Sequence, residues 1–236
     1  MRAASALVTL GFVILPLLVA AGFVLACDWA DWRRGEPTRV RRRRTLITGL
    51  LVLGWLCLTT VIAASGILRR FDTFPPPFAG MVVAVAALGI AVPCSSLGTR
   101  LVRGLPLSVL VGSQVFRFPL EWLMHEAYVE GVMPVQMSYS GQNYDIVTGI
   151  GAGVLGAWLA LSRAPRWIVH VWNVLGVALL VNVVAVAIVS SPTFQWFGGE
   201  RLSTFVTYPP FVWLPTVLVT SALIGHILVW RKLAET

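Results

Sequence analysis

The sequence predicts an all-α protein, a polytopic membrane helix bundle of seven transmembrane helices with the N-terminus outside and the C-terminus in the cytoplasm. Composition is the first reason. Hydrophobic residues make up 57% of the 236 and charged residues 12%, a balance that one soluble core of this size could not hide. The second reason is that most of the chain falls into seven apolar stretches, at about 4–27, 45–68, 78–97, 105–129, 145–162, 167–190 and 208–230. At about 1.5 Å per residue even the shorter ones approach roughly 30 Å of hydrocarbon. The third is charge asymmetry. Seven crossings place thirteen basic residues in cytoplasmic segments: Arg33, Arg34, Arg39, Arg41 to Arg44, Arg100, Arg103, Arg163, Arg166, Arg231 and Lys232. Only four, Arg2, Arg69, Arg70 and Arg201, fall outside.

The first stretch ends in Val24-Leu25-Ala26-Cys27 before Asp28, which also reads as a lipoprotein cleavage box. Its apolar run is long for a signal peptide, and cleavage would leave the arginine-rich segment outside, so a retained first span is expected. That segment, Arg33 to Arg44, separates the first span from the second. The third span is apolar throughout. In the fifth, Gly149, Gly153 and Ala157 recur at spacing four, which allows another helix of the bundle to approach closely. Trp29, Trp32, Trp158, Trp167, Trp196, Trp213 and Trp230 fall near span ends, where an amphipathic ring prefers the headgroup region. Cys27, Cys57 and Cys94 show no metal-ligand spacing and read as small packing residues. No internal repeat or appended soluble domain is visible, so residues 1–236 read as a single transmembrane domain.

The fourth span differs from the others, whose cores carry no ionisable group except histidine. It holds Gln114, Arg117, Glu121, His125 and Tyr128, which at about 100° per residue share an arc of about 80°. Ionisable groups at that depth are costly and mark functional sites by default. Arg117 and Glu121, at spacing four, are expected to form an ion pair, and such a pair can equally serve helix packing alone. Pro119 interrupts the same helix and frees a backbone carbonyl about one turn earlier.

The connection that follows, Pro134 to Asp145, is dense in neutral hydrogen-bonding groups, including Gln136, Tyr139 and Asn143, and is long enough to fold back over the outer mouth of the bundle. Capping of the fifth helix by Asn143 or Asp145 is the plainer alternative. With Asn182 of the sixth span at about the depth of Arg117, the expected ligand-binding set is Gln114, Arg117, Glu121, His125, Gln136, Tyr139, Asn143, Asp145 and Asn182, open to the outer face.

The string Phe116-Arg117-Phe118-Pro119, Glu121, His125, Pro134 to Asp145, Thr148-Gly149, Trp213-Leu214-Pro215 and Gly225-His226 resembles a group of bacterial seven-span inner-membrane proteins with no assigned function. The resemblance covers most of the chain from Phe74 onward. It implies a multi-pass fold in the bacterial inner (plasma) membrane and carries no residue role.

The net charge of +8 lies in short segments between spans, so the expected partner is the lipid bilayer with its anionic headgroups and not nucleic acid. No nucleophile elbow, phosphate loop or zinc-protease motif occurs, and no metal or cofactor is expected. A small-molecule transporter or ligand-binding permease is the first reading. The alternatives are a membrane-embedded enzyme acting on a lipid-linked or envelope substrate, with Glu121 and His125 as acid and base, and a haem carrier ligated by His170 and His226.

Overall fold

A computed structural model describes residues 3–162 and 164–235. Arg2 and Arg163, two of the residues in the charge asymmetry, lie outside the described residues. The chain is helical, with no strand among the described residues. The helices are α1 (Ala6–Arg33), α2 (Thr38–Ala64), α3 (Pro77–Cys94), α4 (Ser96–Gly104), α5 (Leu107–Gly112), α6 (Arg117–Val129), α7 (Ile146–Leu161), α8 (Arg166–Val189) and α9 (Thr220–Ala234). Five segments are long and apolar enough to cross a membrane: α1, α2, α3, α8 and the run Leu214–Ala234 that ends in α9. Their outward faces carry Leu10, Leu18, Leu51, Val61, Val83 and Val181 exposed, the inverse of a water-soluble surface and compatible with lipid as solvent.

Local sequence explains most boundaries. Ser5 caps α1 by accepting from the Val8 amide at 3.2 Å. The α1–α2 connection turns at Gly35, whose φ of 72° favours glycine. Because α2 begins at Thr38, Arg39 and Arg41 to Arg44 lie in its first two turns and not in a loop, while Arg33 ends α1. Pro76 and Pro77 start α3, where the missing amide hydrogen costs nothing. Ser95 caps α4, a short helix where the sequence marks only a connection. The fourth apolar stretch is a broken helix. The chain tightens to a 3₁₀ turn over Ser113–Phe116 between α5 and α6, one turn before Pro119, which cannot donate back along the helix. Pro215 lies in a comparable widened π turn, Leu214–Val219, ahead of α9. Trp55 of α2 donates to the Thr216 carbonyl in that turn at 2.8 Å, tying the two segments.

The basic segments gather at one end of the bundle. There Asp31, buried, faces Arg100 at 2.7 Å, Arg44 at 3.4 Å and Arg34 at 3.9 Å, while Arg41 meets Asp28 at 3.0 Å. Arg231 donates to the Pro93 carbonyl and to Thr99 Oγ1, and Lys232 to the Val102 carbonyl at 2.7 Å, so the end of α9 joins the same cluster. At the other end the Ser5 amide donates to Glu130 at 2.7 Å, latching the start of α1 to the end of α6. Hydrogen bonds from Ser5 hold the Glu130 carboxyl below its ordinary range.

Besides two small apolar clusters at α2, two large ones fill most of the interior. One, including Phe12, Met124, Phe205 and Phe211, lies toward the Glu130 end; the other, including Leu101, Val102, Val169 and Val229, lies toward the basic end. Between them, along α6, α7, α8 and α9, runs a layer of polar side chains. Removing Asp31 from the basic end should loosen the α1–α4 corner. Asp31→Ala is expected to cost about 1–2 kcal/mol, between the values for an exposed pair and for a buried charged hydrogen bond, read as a lowered Tm of the purified protein.

Candidate functional site

The polar layer is built around Arg117, 1% exposed at the first turn of α6. Its Nε donates to Asp145 Oδ2 at 2.6 Å and its Nη2 to Asp145 Oδ1, a side-on bidentate pair. Nη2 also reaches the Gly176 carbonyl of α8 at 3.4 Å. Nη1 lies 2.6 Å from His226 Nε2 on α9. Because a guanidinium only donates, His226 Nε2 is the acceptor and the ring proton sits on Nδ1. That nitrogen lies 2.7 Å from Asn173 Oδ1, and Asn173 Nδ2 donates to the His226 carbonyl at 3.1 Å. One cation thus joins α6, α7, α8 and α9.

Glycines make this approach possible. A Cβ on Gly149 would strike the backbone of Arg117 and Phe118, so only glycine lets the start of α7, with Asp145 just before it, come this close to α6. At Gly176 a Cβ would meet the His226 ring and the Thr148 methyl. Of the expected Gly149, Gly153 and Ala157 series only Gly149 makes such an approach; Gly153 has no more than an ordinary contact with Val115, Ala157 is exposed, and the second close contact is Gly156 against Gly112.

The second half of the layer is Glu121, 1% exposed, one turn further along α6. It does not pair with Arg117. Both its carboxylate oxygens accept from Asn143 Nδ2 at 2.8 Å, and that nitrogen also donates to the Met137 carbonyl at 3.1 Å. Asn143 Oδ1 accepts from the Asp145 amide at 3.1 Å. The side chains of Asn143 and Asp145 thus face Glu121 and Arg117 of α6, and although Asp145 stands at the N-cap position of α7, neither side chain makes a capping bond to it. Beside Arg117, Glu121 and Asp145, and walled otherwise by apolar side chains such as Leu120, Leu180 and Leu218, lies a cavity of about 20 Å³, the volume of a single water molecule.

The remaining expected residues lie apart from this centre. Gln136 is buried and donates to Ser190 Oγ at 3.1 Å and the Arg201 carbonyl at 2.7 Å, joining its segment to the last interhelical connection. His125 stacks on Tyr139 with centroids 4.4 Å apart and meets Ser140 Oγ at 3.2 Å. Asn182 donates to the Gln142 carbonyl at 2.7 Å, so it anchors the segment from α8. Gln114 turns away from Arg117 toward an apolar cavity.

Asn173 and His226 complete the centre without having been in the expected set. Asn173 carries a signal that could have found it, being with Asn182 one of two amides in a predominantly apolar span. His226 lies deeper than its distance from Arg231 implies, because α9 continues to Ala234 and turns the ring inward, where it is fully buried. Both its nitrogens are engaged by protein groups, and His170 is exposed on α8, so the pair does not offer two free axial ligands. Among the described residues, no group of three or more His, Cys, Asp or Glu is placed to hold a metal ion. No protein-family model, curated protein or solved structure matches this chain.

Asp145→Asn keeps the shape of the pair but leaves a buried guanidinium without its counter-charge. It is expected to destabilise by about 3–5 kcal/mol, while Arg117→Met combined with Asp145→Leu recovers most of that loss, measured as Tm in one detergent. Gly176→Ala should cost about 1–3 kcal/mol through its collision with His226, and Gly22→Ala, facing open space, should cost less than half of that.

Proposed function

We propose that this chain is a seven-crossing protein of the bacterial inner membrane, N-terminus outside, that binds and transports a small anion at Arg117. The observation that carries the reading is the origin of the counter-charge. Arg117 is neutralised by Asp145, at the end of the 134–145 segment, and not by Glu121 on its own helix. A carboxylate carried on the connection before α7 occupies the position that a carboxylate or phosphate of a ligand would take, so withdrawing the segment would exchange an internal anion for an external one. The cavity beside Arg117 and Asp145, about 20 Å³, is too small for such a ligand, so binding at Arg117 requires Asp145 and its segment to move. Positive-inside asymmetry supports placing the basic end in the cytoplasm and this segment outside, with α5 and α6 together as the fourth crossing and α7 as the fifth.

Reporter fusions after Arg44 and after Glu235 are expected to report cytoplasm; a periplasmic signal from either overturns the topology. For transport, proteoliposomes are offered labelled monocarboxylates, dicarboxylates and phosphate. Saturable uptake of one of them should fall at least about tenfold in Arg117→Gln. It should also stop when Gln142→Cys and Asn182→Cys, in a background lacking Cys57 and Cys94, are oxidised to pin the segment, and return with dithiothreitol. If no anion moves, or if uptake survives Arg117→Gln, the reading fails.

A further inference from the structure

The arginines that begin α2 divide between two faces of the helix. At about 100° per residue Arg41, Arg44 and Thr45 share one arc, and Arg39, Arg42 and Arg43 share an arc on the opposite side. The first set is turned toward α1 and is satisfied there. Arg41 meets Asp28 at 3.0 Å, Arg44 meets Asp31 at 3.4 Å and Glu36 at 3.1 Å, and Thr45 donates to Asp28 at 2.8 Å. Arg34 and Arg100 take up the same acids. The second set is exposed, and among the described residues none of its three side chains has a hydrogen-bond or ion-pair partner.

Left to itself, the second set is unfavourable. Like charges three and four residues apart on a helix repel, and cations in a first turn oppose the helix dipole. The same face then changes character within one turn, because Leu46, Leu50 and Leu53 continue it and all three are exposed. At 1.5 Å per residue the stripe from Arg39 to Leu53 covers about 21 Å, with cations over the first 6 Å and hydrocarbon over the rest. An acidic protein or a nucleic acid would match the cations and leave the leucines uncovered, and a free phosphate would match the cations alone. Only an amphiphile with an anionic head complements both parts.

We propose that this face of α2 is a binding site for an anionic phospholipid, its phosphodiester held by Arg39, Arg42 and Arg43 and its acyl chains lying along Leu46, Leu50 and Leu53. Guanidiniums on adjacent turns of one rigid helix present paired donors to the phosphate oxygens, and the lipid charge offsets the repulsion within the set. The inward arginines, already paired, take no part. The site does not rest on the anion reading, since neither Arg117 nor any of its partners belongs to it.

The test titrates the full chain in detergent with dioleoyl phosphatidylglycerol or dioleoyl phosphatidylcholine and counts bound lipid by native mass spectrometry. Phosphatidylglycerol is expected to bind at least about tenfold more tightly than phosphatidylcholine, and Arg39→Gln, Arg42→Gln and Arg43→Gln together should abolish that preference. The matched triple Arg33→Gln, Arg103→Gln and Arg166→Gln removes as much charge from exposed positions elsewhere and should keep the preference. Equal affinity for the two lipids overturns the proposal, as does an equal loss in the two triples, which would mean diffuse attraction to net charge. Displacement of the lipid by its deacylated headgroup, glycerophosphoglycerol, at equal concentration would show a site for a free anion; displacement by a polyaspartate peptide would assign the face to an acidic protein. Either result overturns the proposal too. Because all three side chains are exposed, the Tm of the first triple should be unchanged; should that triple fail to fold, single variants, each weakening binding about fivefold, decide it.

Discussion

The placement of a single guanidinium governs the middle of this bundle. Arg117, on α6, is buried where an unpaired charge could not persist, so three other helix segments must deliver acceptors to it at once: Asp145 before α7, the Gly176 carbonyl of α8 and His226 of α9. A lone pair with Glu121 on the same helix would have met the charge requirement without organising anything else. The observed partners convert the cost of burying one charge into a condition on the relative positions of α6, α7, α8 and α9. Net stability from such a buried pair is small, but misplacing any partner is expensive, so the centre acts chiefly on which arrangement the helices adopt.

That condition propagates into features that look unrelated along the chain. Asp145 can reach Arg117 only because Gly149 lets α7 touch the α6 backbone, and Gly176 leaves the space that the His226 ring fills. The 3₁₀ turn at Ser113–Phe116 reorients α6 relative to α5, so that Gln114, on the same nominal helical stripe as Arg117, faces a different part of the protein. Even the Asn173 contact follows: His226 accepts from Arg117 through one nitrogen, and the other then needs an acceptor, which the Asn173 carbonyl oxygen provides.

Much of the helical architecture could be read from the apolar stretches, because burial in lipid leaves a run of some twenty apolar residues that no soluble core requires. Five of the stretches are continuous helices of that kind; the other two are the broken α5–α6 segment and the 16-residue α7. Both departures lie at the polar centre, where Pro119 interrupts one helix and the approach to Asp145 fixes the start of the other. Arg117, Glu121, Asn143 and Asp145 stand out by polarity alone, and the structure brings them together. Their pairing was not legible. Spacing four favours Arg117 with Glu121 on a regular helix, whereas the choice of Asp145 depends on a close helix contact between residues 28 apart, which no local pattern encodes. His226 was misjudged for a related reason: its depth depends on where α9 ends and which way it is turned, both properties of packing.

The two ends of the bundle are closed by different chemistry, and this difference bears on where it can open. At the basic end, Asp31 gathers arginines from α1, α2 and α4, and Arg231 and Lys232 bind carbonyls of α3 and α4, so ionic and charge-assisted contacts cross-tie the helices themselves. At the Glu130 end the closure is a segment without long helices, held by neutral contacts: Gln136 to Ser190, Asn182 to Gln142 and the stack of Tyr139 on His125. Neutral hydrogen bonds contribute about 0.5–1.5 kcal/mol each, and those near the surface can be exchanged for water as they break. Under the anion-transport reading proposed above, withdrawing the segment would break these neutral contacts before Asn143 and Asp145 leave Glu121 and Arg117. Under that reading the last step would carry the barrier: Arg117 loses its counter-charge and Glu121 its hydrogen-bond donor together, and an incoming anion would replace what Asp145 supplied.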